Sequence, residues 1–184
     1  MAFEIDYNLL EMAMSSYDPT GQTIFYLDPA SGQVLIVDEY TREEARSFTA
    51  PDQIEDPNIR LAWYVLWDEG EIEDDTLSPA EEGDWYDQVH AYLDRYPPIP
   101  TADSREGYQD MVDFTETVTD LYLRERLDQA LARPRPFRRF KDVLLGDLKQ
   151  QDRWFKFRDE RMRARMDDWL RMHGVLPAEE DLSS

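Results

Sequence analysis

Apolar positions along this chain recur at helical spacing in most segments and at strand spacing in one. Asp6 is placed to cap a helix running to about Ser16, with Leu9, Leu10, Ala13 and Met14 on a short apolar face. The period then changes. Thr23 to Leu27 and Val34 to Val37 are runs of β-branched, aromatic and aliphatic residues around Asp28-Pro29-Ala30-Ser31-Gly32-Gln33, whose proline, serine and glycine are turn chemistry. This predicts a β-hairpin with a loop longer than two residues. An isolated hairpin is marginal in water, so it must lie on helices. Thr41 followed by Glu43 and Glu44 predicts the start of a short helix. Leu61 to Trp67 is an apolar cluster too short for its period to separate strand from helix, and the acidic octet Asp68 to Asp75 behind it reads as a solvated loop.

From Ser78 onward the pattern is helical. Ser78-Pro79 with Glu81 and Glu82 is a helix start, Trp85, Val89 and Tyr92 share a face, and Pro97-Pro98 is the stop. Asp103 or Ser104 opens a helix carrying Tyr108, Met111, Val112, Thr115 and Val118, and Asp120 opens another carrying Leu123, Leu127 and Leu131. Arg133-Pro134-Arg135-Pro136 cannot continue it, because each proline removes a donor and restricts its predecessor. Further helices are expected over about Phe137 to Leu145 and about Gln150 to His173, with Gly174 as the final cap. The expected fold is α+β, mainly α, with an N-terminal β-hairpin packed against a bundle of about five helices. It is expected as a single domain over 1–176, in which 49–80 is a divergent, partly loose acidic segment and 177–184 a frayed tail.

The last helix carries the candidate chemistry. On a helical wheel Phe155, Met162, Met166, Trp169, Leu170 and His173 form one stripe, expected to face the core. Arg158 and Asp159 fall at its boundary, where unpaired charge is costly, so a cross-helix ion network of Asp142, Arg158 and Asp159 is expected, joined by Arg138 or Arg139. A second side holds Trp154, Phe157, Arg161, Arg165 and Met172. One helix rarely buries two stripes in a small domain, so its aromatic and arginine residues, with Arg138, Arg139 and Lys141 on the preceding helix, form a candidate interaction surface; burial under the hairpin or under the Trp63 to Trp67 cluster is the alternative. Phe137 and Phe140 are expected to point inward while the cations between and after them point out. Aromatic rings with arginine make interface anchors, and also stacking surfaces for single-stranded nucleic acid.

Composition narrows the function. No cysteine occurs among the 184 residues, which excludes a disulfide framework, thiol catalysis and thiolate metal sites; the two histidines, His90 and His173, cannot make a multi-histidine centre. No glycine-rich phosphate loop, G-x-S-x-G elbow or H-E-x-x-H is present, and Asp68 to Asp75 lacks the ligand alternation of an EF-hand. Neither an enzyme nor a cofactor is therefore expected. No apolar run approaches the ~20 residues of a membrane span, so a cytoplasmic protein that does not engage membrane is expected.

Charge is the strongest signal. The chain has 41 acidic and 20 basic residues and a formal net charge of −21. Residues 1–100 hold 4 arginines, no lysine and 23 acids, whereas residues 133–165 hold 12 basic residues and 5 acids. The expected function is that of a non-enzymatic interaction or regulatory protein whose acidic surface binds a basic partner protein. The alternative is nucleic-acid binding through the basic, aromatic-rich C-terminal helices, which the net charge disfavours.

Tyr96-Pro97-Pro98-Ile99-Pro100, Arg124-Glu125-Arg126-Leu127, Phe137 to Leu144, Trp154 to Arg161 with Trp169-Leu170, and His173-Gly174 resemble the bacterial uncharacterised protein family UPF0158. The hairpin residues Tyr26 to Asp28 and Gly32 to Val34 are similar to it too. The resemblance is specific from about 90 to 176 and weak across 49–80. It implies a bacterial α+β domain, and no activity, ligand or catalytic residue.

Overall fold

The strand-period runs form the hairpin, with β1 (Ile24–Asp28) antiparallel to β2 (Gln33–Val37) and Phe25 opposite Ile36. Its turn is closed from Asp28, whose carboxylate accepts from the Ala30 amide and the Ser31 hydroxyl while its carbonyl accepts from the Gly32 amide. Gly32 takes φ +76°, the left-handed conformation for which glycine has no steric penalty. The hairpin does not stand alone. The Leu27 amide donates to the Pro97 carbonyl and the Ile99 amide donates to the Phe25 carbonyl, so the segment after the prolines covers the outer edge of β1. On β2 the Ile36 amide donates to the Asn58 side chain at 2.9 Å. Each strand of the hairpin thus has a partner outside the sheet, which helps a two-stranded sheet that is marginal alone.

The computed structural model describes residues 5–16, 18, 21–72, 79–101 and 103–175. Ser78, residues 73–75 of the acidic octet, and the expected frayed tail 177–184 lie outside them. The fold is α+β, mainly α. It divides into two compact units where a single domain was expected: residues up to Thr101 with those from Trp169 onward, and Ala102–Asp168.

In the first unit α1 (Tyr7–Ser15) is capped by Asp6, whose carboxylate accepts from the Leu9 amide. Helix α2 (Glu39–Ala45) starts earlier than Thr41: Asp38 caps it, and Thr41 returns the bond to the Asp38 amide, a reciprocal capping box. The ambiguous apolar cluster lies in a helix, α3 (Pro57–Asp68), started by Asp56 and Pro57. Asp56 accepts from the Asn58 and Ile59 amides, and Leu61, Ala62, Val65 and Leu66 are buried at helical spacing. Within the segment 49–80, residues 49–72 thus contribute a helix and a buried core to the unit. Leu35, Val37, Ala45, Ile54, Leu61, Trp63, Leu66 and Tyr96 share one core, and the Trp63 indole donates to the Phe48 carbonyl at 3.1 Å. Helix α4 (Pro79–Leu93) buries Val89 fully, with Trp85 and Tyr92 packed against that core.

The second unit is helical: α5 (Ser104–Thr117), α6 (Leu121–Leu131), α7 (Pro136–Leu144) and α8 (Leu148–Met172), of which residues from Trp169 belong to the first unit. Asp103 and Asp120 cap α5 and α6 through their carboxylates. Between α6 and α7 the chain turns through Arg135 at φ +62°, a left-handed residue held between two prolines. The core joins Met111, Phe114, Val118, Leu123, Leu127, Leu131, Phe140, Leu144 and Trp154, with Phe114 edge-on to Phe140, Trp154 and Phe157. At its far end α8 closes on Gly174, φ +75°, with the Val175 amide returning to the Leu170 carbonyl.

Arg42 of α2 and Arg46, which caps its C-terminus, tie down the chain leaving α3. Arg42 binds Glu69 with both guanidinium nitrogens at 2.5 and 3.0 Å, and Arg46 reaches Glu71 at 2.7 Å. The bonded Arg42 holds the Glu69 carboxyl below its ordinary range. A carboxylate whose pKa is depressed by folding stabilises above the unfolded value of ~4.3 and loses that contribution as pH falls through the folded value. Because Glu69 is partly exposed, Arg42→Ala is expected to cost about 1 kcal/mol or less at neutral pH, and urea midpoints for the two proteins should converge as the solution is acidified. A difference that persists undiminished in acid would show that Arg42 acts through packing instead.

Candidate functional site

The orientation of α8 follows from its charges. On α5, Glu106, Asp110 and Asp113 recur every three or four residues on one face, beside the buried Met111 and Phe114. On α8, Arg161 and Arg165 are four apart. Asp110, almost fully buried, accepts from Arg165 at 2.5 Å and lies 3.3 Å from Arg161; Arg161 also bonds Asp113, and Arg165 comes within 3.9 Å of Glu106. A buried carboxylate needs such partners, since leaving it unpaired would cost several kcal/mol. The pairing turns Trp154 and Phe157, on the same face as Arg161, into the core.

The sequence-derived candidates therefore separate. Trp154 is only 6% exposed and Phe157 is half-buried with its ring stacked on Trp154, so the exposed aromatic platform does not form. Arg161 and Arg165 belong to the internal network. Arg138, Arg139 and Lys141 do face water on α7, Arg139 also donating to the Pro134 carbonyl. The cross-helix network expected of Asp142, Arg158 and Asp159 is replaced by two local, exposed contacts: Arg138 with Asp142 at 3.9 Å along α7, and Arg158 with its neighbour Asp159 at 2.8 Å. Phe155 and Phe137, both expected to face the core, are 43% and 41% exposed. Each stripe of α8 is buried only in part: Trp154 and Phe157 join the core of the second unit, and Trp169 and Leu170, rotated on the wheel, are buried in the first.

What faces outward beside α7 is a groove of about 630 Å³. Leu144 and Trp154 form its floor, Phe137, Leu145 and Phe155 its apolar sides, and Arg138, Lys141 and Asp142 its polar rim. The Phe137 ring lies against Gly107 of α5, at 3.2 Å from where a side-chain carbon would stand there. The groove is not legible from the wheel, because Phe155 falls on the stripe that is buried at Met166, Trp169 and Leu170, and Phe137 is on the inward side of α7 by spacing. Among the described residues no group of three or more histidine, aspartate or glutamate side chains is arranged to hold a metal ion, and no helix is long and apolar enough to cross a membrane.

The first unit differs in kind. Residues 1–101 and 169–184 together hold 26 acidic and 5 basic residues, whereas 102–168 hold 15 of each. The whole formal charge thus resides on the first unit, and the second is neutral. Arg42 and Arg46 are engaged with glutamates, Arg60 grips the Ile54 carbonyl, and Arg95 lies over the Tyr92 and Tyr96 rings. Glu44, Asp52, Glu55, Asp84, Asp87 and Asp94 face water. Burial and the neighbouring Tyr96 hydroxyl raise the Tyr92 phenol well above its ordinary range.

Fold and surface together define a mainly helical α+β protein with an acidic unit and a neutral helical unit that carries a groove. The model of the uncharacterised protein family UPF0158 matches residues 71–184, and the chain belongs to that family. No curated protein and no solved structure matches it.

The phase of α8 is testable by two adjacent substitutions. Trp154→Ala removes a core ring and is expected to cost about 3 to 5 kcal/mol. Phe155→Ala, on the open side, should change stability by about 1 kcal/mol or less. Chemical denaturation of both variants checks this, and a larger loss for Phe155 would reverse the assignment.

Proposed function

We propose that the protein is a non-enzymatic cytoplasmic interaction protein whose acidic unit binds a basic partner protein. One observation supports this: the unit holds 26 acidic residues and only 5 basic ones, the four arginines of residues 1–100 are engaged within it, and Glu44, Asp52, Glu55, Asp84, Asp87 and Asp94 face water. Such a surface raises the local concentration of positively charged partners and speeds their association, an effect that salt weakens. A nucleic-acid-binding protein, whose phosphate contacts this surface imitates by charge, is the class of partner it suits best. Direct nucleic-acid binding is less well supported, because Arg138, Arg139 and Lys141 are the exposed remnant of the candidate surface and the net charge repels phosphate.

Nuclease-treated lysate passed over the immobilised full chain at low salt is expected to leave basic proteins bound, and raising the salt should release them. Single-stranded RNA and DNA should show no gel shift with the same protein. If no basic protein is captured, or if nucleic acid binds at low salt, the reading fails.

A further inference from the structure

The groove beside α7 is independent of the acidic surface, and its chemistry is opposite. Phe137 and Leu145 stand at the two ends of α7, eight residues apart, which at ~1.5 Å per residue places about 12 Å between them. Phe155 lines the same groove from α8. Three apolar side chains at successive turns of a helix span ~10 Å, so a partner helix of two to three turns matches the length of this floor. Its volume of about 630 Å³ is concave space, unlike a flat patch suited to a lipid surface. The rim adds sign. Lys141 faces water with no carboxylate of the described residues bonded to it, and the Arg138 side chain is 76% exposed at 3.9 Å from Asp142, a contact too long and too solvated to hold it. An apolar floor edged by loosely held cations is complementary to a helix with leucine-like residues on one face and carboxylates flanking them.

We propose that the α7–α8 groove is a docking site for an acidic amphipathic helix of a partner protein, with Phe137, Leu145 and Phe155 receiving its apolar face and Arg138 and Lys141 its carboxylates. The chain's own negative charge does not forbid this, because at physiological salt the Debye length is ~8 Å and the cations at the rim dominate what a docked helix meets. The site adds a second, acidic partner to the basic one proposed above, and either can fail without the other.

The test uses the full chain and a fluorescent synthetic helix of about four turns, with leucines at i, i+4 and i+7 and glutamates flanking them. Anisotropy at physiological salt is expected to show saturable binding, with at least about tenfold weaker binding of a scrambled peptide of the same composition. Lys141→Glu and Leu145→Asp, both at exposed positions and checked for unchanged helical content, should each weaken binding by about tenfold. Absent binding, or binding indifferent to both substitutions, overturns the proposal. So does a self-association abolished by Leu145→Asp, which would assign the groove to a second copy of the chain, or adsorption to phosphatidylglycerol vesicles abolished by the same change, which would assign it to membrane.

Discussion

A single carboxylate determines how the helical unit presents itself. Asp110 is buried on α5, and two arginines of α8 converge on it. Burial strengthens each of these charge-assisted bonds and makes any loss of partner expensive, so α8 is fixed in one rotation about its axis. Trp154 then completes the ring cluster around Phe114, and Phe155, its neighbour in sequence, is left facing out. The groove beside α7 is a by-product of that rotation.

Charge divides the molecule as well. The strongly basic stretch of sequence lies in a unit whose 15 basic residues are matched by 15 acidic ones, and the pairing with α5 engages Arg161 and Arg165 while Arg138, Arg139 and Lys141 of α7 stay exposed. The first unit has no comparable internal supply of arginine. What looks along the sequence like a dipole of an acidic front and a basic back becomes, after folding, an acidic unit and a neutral one.

Much of the fold was legible because its signals are local. Asp6, Asp103 and Asp120 cap their helices as read, the loop from Asp28 to Gln33 closes the hairpin, and Gly174 ends α8 with a positive φ. Two elements needed more than the apolar period. The cluster at Leu61, open between strand and helix from its sequence, is helical because Asp56-Pro57 starts it and the hairpin covers it, and α2 starts at Glu39 because Asp38 caps it and Thr41 answers Asp38 across the first turn. The candidate surface was the least legible part. Its error came from assuming that one helix serves one core, whereas the 25 residues of α8 are shared between two units and bury a different stripe in each. The acidic triplet on α5 was visible at its helical spacing, but only three dimensions show that it meets Arg161 and Arg165.

A double-mutant cycle between Asp110 and Arg165 measures that constraint directly. Asp110→Ala, Arg165→Ala and the double variant, unfolded in urea, should give a coupling energy of about 1.5 to 3 kcal/mol, the range for hydrogen bonds to charged groups. A coupling near zero would mean that α8 is oriented by its apolar residues alone, and the account of which cations remain free would be contradicted.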